Sequence, residues 1–512
     1  MTAVGDIHTT ENVLRLPGKF EQRCIARHDL GYYGCLTIAG IYKTLEHVPL
    51  RVDVGYFFPA IHYCLKSHPI LCAAIKDADT ERPSFVRPKQ LDLKNHVRIL
   101  APMGDGGNMD DDEIVKHTII DCHDRFFQHS DMIPPWDVTI VRLTSRARLE
   151  TRFLVLFSFS HSHGDGTSGL AFHRTFLNGL RQIPQLASNP NSDSTFDSPA
   201  ISLLPSIEKA ANLSISWTYL LGVLIGPKLP RFLNNWLGLS PLSPTTTNTW
   251  LGKSISYIPG GYRTSVEVLI IPSSQVAGIL ERCRANGARL TGLLHQLVVY
   301  SLRQTLPKYS SSHAHAELVA TTPLNLRHLI ANWASNADMA NAASAVYELF
   351  SPTWETSESF DVEKIWANAR ESGSKIATAA STLKNQPVGL LHYVSAFRKW
   401  FYGQLGKPRD ASYEISNLGS FDPANTYAKY SESESTATLK TMNSWDIDTM
   451  FFSQPANVTG AALCYSVVSR KLGDLVICES WQSGVLGVSD ETAFAKSVLR
   501  CIELALQQLL RA

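Results

Sequence analysis

Phe153-Leu-Val-Leu-Phe-Ser-Phe-Ser160 is an unbroken run of apolar and hydroxyl residues, rich in Phe, Val and Leu taken together, and it predicts a buried strand. Around it the apolar positions fall with helical spacing. Tyr56, Phe57, Ile61 and Leu65 share one face of a helix expected over 53–66 and closed by His68-Pro69. Ile114, Ile119 and Phe126 mark a second helix. It is preceded by Asp110-Asp-Asp-Glu113, whose charges suit the positive end of a helix better than a cation site. Leu170, Phe176, Leu177 and Leu180 define a third, with Thr167 as its expected cap.

The periodicity lapses over 185–205, rich in Ser, Asn, Asp and Pro, and again over 240–247; both read as exposed loops. Between them 215–226 is almost wholly apolar, yet far short of the roughly twenty residues a membrane span needs. With Trp236 and Leu237 it could pack between two halves, cover a site as a lid, or touch a membrane surface over 215–239. The packed helix is the favoured expectation. Beyond it, Val266, Val268 and Ile270 alternate in a strand over 265–271. A helix capped by Ser273 or Ser274 then runs to Gly287, and another starts at Thr291. A strand over 318–321, helices over 362–383 and 390–405, strands over 412–417, 449–453, 461–469 and 475–481, and a last helix over 490–510 complete the pattern. Strands mixed with helices in both halves predict an α/β (α+β) fold. The expected division is an N-terminal lobe over 1–185, a linker or crossover and lid over 186–250, and a C-terminal lobe over 251–512.

Composition narrows the reading. A chain of 512 residues exceeds one ordinary core, which agrees with two lobes. Lys plus Arg is 47 against Asp plus Glu 46, a net charge of +1 with no basic run, which argues against a nucleic-acid partner. The nine cysteines are scattered without a CxxC pair, so reduced thiols are expected rather than a disulfide framework or zinc knuckle. Asp6, Glu11, Arg15, Lys19 and Arg23 interrupt the N-terminal stretch, so no secretory leader is expected and the location is cytoplasmic.

The buried run ends in His161-Ser-His-Gly-Asp-Gly166, two imidazoles and a carboxylate among glycines. Buried polar groups cost stability without partners, so chemistry is a better reason for them than packing. His161, His163 and Asp165 resemble the start of a metallohydrolase HxHxDH pattern, but Gly166 stands where its next His belongs. A second reading makes one His a general base near neutral pH. No G-x-S-x-G elbow supplies a nucleophile, so such a base would activate one substrate to attack another, as when a hydroxyl attacks an acyl thioester. A third reading is a purely structural capped turn.

His161-Ser-His-Gly-Asp165-Gly166 resembles the HxxxDG motif of the acyltransferases that include chloramphenicol acetyltransferase, the plant BAHD enzymes and condensation domains. Arg27-His-Asp-Leu-Gly-Tyr-Tyr33, Thr322-Pro-Leu-Asn-Leu-Arg327, Gly406-Lys-Pro-Arg409, Ser416-Asn-Leu-Gly419 and the 452–460 stretch ending Asn457-Val-Thr-Gly460 narrow this. Together they resemble the fungal alcohol O-acetyltransferase family from about Arg15 to the C-terminus, interrupted over 185–247. The plant-type DFGWG segment is absent, with Ser416-Asn-Leu-Gly419 in its approximate place.

The resemblance implies two chloramphenicol-acetyltransferase-like lobes, each a mixed sheet flanked by helices, with a channel between them. It implies O-acetyl transfer from acetyl-CoA, a co-substrate rather than a bound cofactor, to a hydroxyl of a small-molecule alcohol. His161 would be the base, Asp165 with Gly166 would fix the turn, and Arg327 would pair with Asp165. Asn417 and Thr459 are candidate oxyanion donors, and Lys407 and Arg409 candidate CoA contacts. No metal is implied, and a monomer is expected. Carrier-protein-dependent acyl transfer and a metallohydrolase remain the alternatives.

Overall fold

The computed structural model describes residues 13–45, 48, 52–101, 110–144, 150–186, 193–310, 313, 315–352, 360–424 and 445–511. Strands Leu36–Thr44 (β1), Val97–Leu100 (β2), Trp136–Leu143 (β3) and Thr151–Phe159 (β4) form most of one sheet. Strands Thr264–Ile271 (β5), Leu318–Asn325 (β6), Ala343–Phe350 (β7) and Tyr413–Phe421 (β8) belong to a second. The chain then returns: Trp445–Ser453 (β9) pairs antiparallel with β1, Phe452 opposite Ile38. Leu463–Arg470 (β10) and Leu475–Gln482 (β11) go back to the second sheet. The first sheet runs β9-β1-β4-β3-β2 and the second β5-β11-β10-β8-β6-β7. Both are mixed. β2 is parallel to β3, and β8 is parallel to β6 and to β10.

The unbroken apolar run in β4 has a simple cause, since both faces are covered. Phe153, Val155, Phe157 and Phe159 enter the core of the first lobe. Leu154 and Leu156 point the other way, into a cluster shared with Val266, Val476 and Cys478 of the second sheet. A strand buried on both sides has no polar face to alternate.

The helices that matter to the site are Lys19–Asp29 (α1), Phe58–Ser67 (α2), Asp111–His123 (α3) and Gly166–Leu186 (α4). Trp217–Ile225 (α5) and Arg231–Leu237 (α6) follow, then Ser273–Ala285 (α7), Leu290–Tyr309 (α8), Val362–Ala379 (α9) and Glu491–Arg511 (α10). Helix α3 inserts Ile114, Val115 and Ile119 between the lobes, and its first turn carries Asp111, Asp112 and Glu113 as expected of the acidic run. Helices α8, α9 and α10 cover the second sheet through Leu297, Trp366 and Val498.

Several expectations fail for local reasons. Helix α4 starts at Gly166, so Thr167 lies within its first turn, and the Asp165 carboxylate receives the Ser168 N–H instead. Helix α7 takes its N-terminal partner from afar, the Asp474 carboxylate accepting from Ser273 N–H. The helix expected over 390–405 is broken into Pro387–Leu390, Leu391–Tyr393 and Phe397–Tyr402, because Glu81 caps a new start at the Phe397 N–H. Part of the loop expected over 185–205 lies outside the described residues, and Thr195–Asp197 pairs with Gln90–Asp92. The apolar segment favoured as packed between the halves forms α5 and α6 on the surface. Its inward side is mixed: a Cβ on Gly222 would clash with the Ser240 carbonyl oxygen, Asn234 is buried, and Tyr219 is half-buried. Among the described residues no helix is long and apolar enough to cross a membrane.

Candidate active site

Strand β4 ends at Phe159 and hands the chain to a turn in which His163 N–H donates to the Ser160 carbonyl at 2.9 Å. The turn leaves His161 partly exposed while Ser162, His163 and Asp165 are buried. Asn341, brought in by the segment before β7, grips His161. Its Nδ2 donates to the His161 carbonyl at 2.9 Å and to the Ser162 carbonyl at 3.2 Å. With both amide hydrogens facing carbonyls, the Oδ1 must face the ring, and it lies 3.2 Å from His161 Nδ1. In the neutral imidazole that contact favours the proton on Nδ1, with Nε2 as the acceptor.

Asp165 points away from this bond. Its Oδ2 accepts from Arg327 Nη1 at 2.7 Å and from the Ala342 N–H at 3.1 Å. Its Oδ1 accepts from Arg327 Nη2 at 2.9 Å and from the Ser168 N–H at 3.1 Å. Burial would raise this carboxyl, but the Arg327 guanidinium and the Ala342 N–H outweigh it and hold its pKa below the usual aspartate value. Arg327 is itself buried and reaches Asp165 from the end of β6, so the pair straps one lobe to the other. Gly166 completes the turn: a Cβ there would lie 2.5 Å from Leu418 Cδ2 of β8.

His163 is fully engaged elsewhere. Its Nε2 lies 2.7 Å from the Ala73 carbonyl and its Nδ1 3.0 Å from Ser162 Oγ, and burial depresses its pKa to about 4. His161, His163 and Asp165 therefore do not converge as metal ligands, and among the described residues no group of His, Cys, Asp and Glu forms a metal site.

None of the remaining candidates hydrogen-bonds His161, whose hydrogen bonds are with Asn341. Asn417 uses both ends of its amide, Nδ2 to Thr291 Oγ1 at 3.1 Å and Oδ1 to the Gly419 N–H at 2.8 Å. The Thr459 hydroxyl is buried without a partner, while its N–H donates to Asn457 Oδ1. Lys407 is exposed. Arg409 needs correcting as a CoA contact. It is 1% exposed, and Nη1 donates to the Asn457, Val458 and Gly460 carbonyls, each at 3.0 Å. Burial lowers its pKa to about 10. Its charge is spent inside the protein, where it clamps the Asn457–Gly460 loop.

Other groups lie near His161 to which the sequence assigned no role. Phe20 meets its ring edge-on at 5.6 Å, and Tyr33 lies 6.1 Å away. The buried Cys24 thiol is a further neighbour of the same side chain. Burial pushes that thiol up, but His161, Arg27 and Arg23 together bring it below the ordinary cysteine value. Arg27 is buried with its guanidinium 3.7 Å above the Tyr33 ring. Tyr33 in turn donates to Gln454, which donates to Glu414, whose carboxyl burial raises. Arg27 and Tyr33 belong to one of the quoted sequence stretches, and their shared place beside the turn is the signal that stretch carried.

Two cavities reach residues of the turn, and His161 lines neither of them. One, of about 190 Å³, is lined by Ser162, His163 and Asn341 together with Arg15 and Glu21. The other, of about 400 Å³, is lined by Ser160, Ile25, His28, Tyr257 and Arg263.

Two mixed sheets strapped together through an HxxxDG turn define an acyltransferase-type architecture. Solved structures share it. The trichothecene 15-O-acetyltransferase TRI3 from Fusarium sporotrichioides matches with a TM-score of 0.60 at 10% identity, over 96% of this chain and 94% of that one. The first condensation domain of the CDA synthetase matches with a TM-score of 0.56 at 13% identity, over 98% and 97%. The chain belongs to the alcohol acetyltransferase family, whose model matches residues 108–495. It is similar to a probable alcohol acetyltransferase, crmB, of Aspergillus fumigatus, with 26% identity over 92% of this chain and 95% of that protein. A second probable alcohol acetyltransferase, FCK4 of Fusarium pseudograminearum, is 23% identical over 93% and 92%. The chain is therefore an acyltransferase of the alcohol acetyltransferase type.

Proposed function

We propose that the enzyme moves an acetyl group from acetyl-CoA to a hydroxyl of a small molecule by direct attack, with His161 as general base. The alcohol gives its proton to His161 Nε2 as its oxygen bonds to the thioester carbonyl carbon, forming a tetrahedral oxyanion. The C–S bond then breaks, and Nε2–H returns the proton to the departing CoA thiolate. The observation that carries this reading is the Asn341 contact at Nδ1, which orients the ring and, in the neutral imidazole, favours the tautomer whose lone pair is on Nε2.

Asp165 supports the base indirectly, since its oxygens are occupied by Arg327, Ser168 and Ala342 and it accepts no hydrogen bond from His161. The cavities that reach the turn, lined by its Ser160, Ser162 and His163 and not by His161 itself, are the proposed approaches for thioester and alcohol. Thr459, whose hydroxyl lacks a partner, is a better oxyanion candidate than Asn417, whose amide is committed. Lys407 is the remaining candidate for a CoA phosphate. The acetyl transfer named for the trichothecene enzyme is onto oxygen, which supports a hydroxyl acceptor here. Mixing the protein with acetyl-CoA and a panel of alcohols, then measuring CoA release and ester mass, tests the reading. Ester formation with at least one alcohol is expected; CoA release without ester, or with none of the panel, contradicts it.

A further inference from the structure

Helices α5 and α6 half-bury Tyr219 and Leu233 but leave large apolar side chains outside. Trp217, Leu221 and Leu224 recur along one face of α5 and are 78, 43 and 59% exposed. On α6, Phe232 and Trp236 lie one turn apart and are 70 and 79% exposed. The side turned inward holds Gly222 and Asn234, whose Nδ2 donates to the Gly226 carbonyl at 2.9 Å. A surface helix ordinarily buries its apolar stripe. A rimmed apolar patch left outside marks a docking surface.

Charge identifies what docks. From Lys209 to Val266 the sequence contains no Asp or Glu, in a chain that has 46 of them, while Lys209, Lys228, Arg231, Lys253 and Arg263 fall in the same interval. Lys228 is exposed in the turn between the two helices. A protein groove, or a second copy of this nearly neutral chain, would need no such one-sided charge. An anionic bilayer would. Tryptophans at the ends of a short apolar patch, with an exposed lysine between them and no carboxylate on either helix, suit the headgroup layer of a membrane. At about 1.5 Å per residue, α5 is far too short to span one, so it would lie on the surface.

We propose that α5 and α6 form a peripheral membrane-docking surface that seats on a bilayer carrying anionic lipid. Flotation of the full chain tests it, using vesicles of phosphatidylcholine alone and of phosphatidylcholine mixed with phosphatidylserine. The chain is expected to float with the mixed vesicles, far less with the neutral ones, and less as salt is raised. The Trp217→Ser/Trp236→Ser double variant is expected to lower the bound fraction about tenfold or more. Lys228→Glu should lower it as well. Both variants should keep the wild-type melting curve and the wild-type rate with a water-soluble acceptor, because they alter only exposed side chains. Equal flotation of wild type and double variant would overturn the proposal, as would binding to neither vesicle. So would a concentration-dependent dimer in light scattering that the double variant abolishes, which would make the patch a contact between copies of the chain.

Discussion

Asn341 holds His161 at two points, its Nδ2 donating to the backbone carbonyl at 2.9 Å and its Oδ1 facing the ring Nδ1 at 3.2 Å. In this site a neutral amide performs the orienting that a carboxylate performs in a serine-hydrolase triad. Asn341→Leu should leave the imidazole free to take the wrong tautomer. A loss of about tenfold or more in kcat is expected, with little change in KM, since a lost positioning hydrogen bond of about 1.5 kcal/mol gives that order. Steady-state kinetics with acetyl-CoA and a working alcohol check it, and a rise in KM alone would mean that Asn341 binds substrate.

The Asp165–Arg327 pair bears on stability first. Arg327→Met leaves a buried carboxylate unpaired and should cost about 3 to 5 kcal/mol in urea unfolding. The folded carboxyl sits below its unfolded value, so its stabilising contribution is present above that value and is lost as pH falls through the folded pKa. Wild type should therefore lose this contribution in the acid range below about pH 4, whereas Asp165→Asn lacks it and should show a flatter acid limb. Unfolding midpoints measured at neutral pH and in the acid range decide the matter.

Gly166 offers a packing test. Alanine ordinarily favours a helix over glycine by about 1 kcal/mol, but here the added methyl would overlap Leu418. Gly166→Ala should be net destabilising by about 1 to 3 kcal/mol, and Leu418→Ala in the same chain should recover part of it. Thermal melts of the single and double variants check the recovery.

Arg409 distinguishes an internal clamp from a substrate contact. Arg409→Met should cost about 2 to 4 kcal/mol, because the Asn457, Val458 and Gly460 carbonyls lose a charged donor. The remaining folded enzyme should keep its KM for acetyl-CoA. A large rise in that KM with an unchanged melting temperature would restore Arg409 as a CoA contact.

What the sequence makes legible here is local. The β4 run and the HxxxDG turn occupy one continuous stretch, and their chemistry follows from neighbours in the chain. The N-terminal partner of α7 is not legible, because Asp474 comes from far along the chain. Nor is the return of β9 to the first sheet, since pairing across the lobes leaves no mark in periodicity. Asn341 sits in an unremarkable run of Ala, Met and Asn, so its grip on His161 appears only once the segment before β7 is folded against the turn. Arg409 misleads for a related reason: beside Lys407 and Pro408 it reads as a loop cation, and only the surrounding carbonyls explain its burial. The patch on α5 and α6 shows the limit of hydrophobicity itself, which marks residues that avoid water without saying whether protein or another apolar phase will cover them.

The role of His161 is tested most directly by the rate of ester formation from acetyl-CoA for wild type and His161→Ala, both confirmed folded by their melting curves. Removing the base should lower that rate by about 10² to 10⁴. A variant that still makes ester within about tenfold of wild type would contradict the account, because no general base of that importance would then reside at position 161.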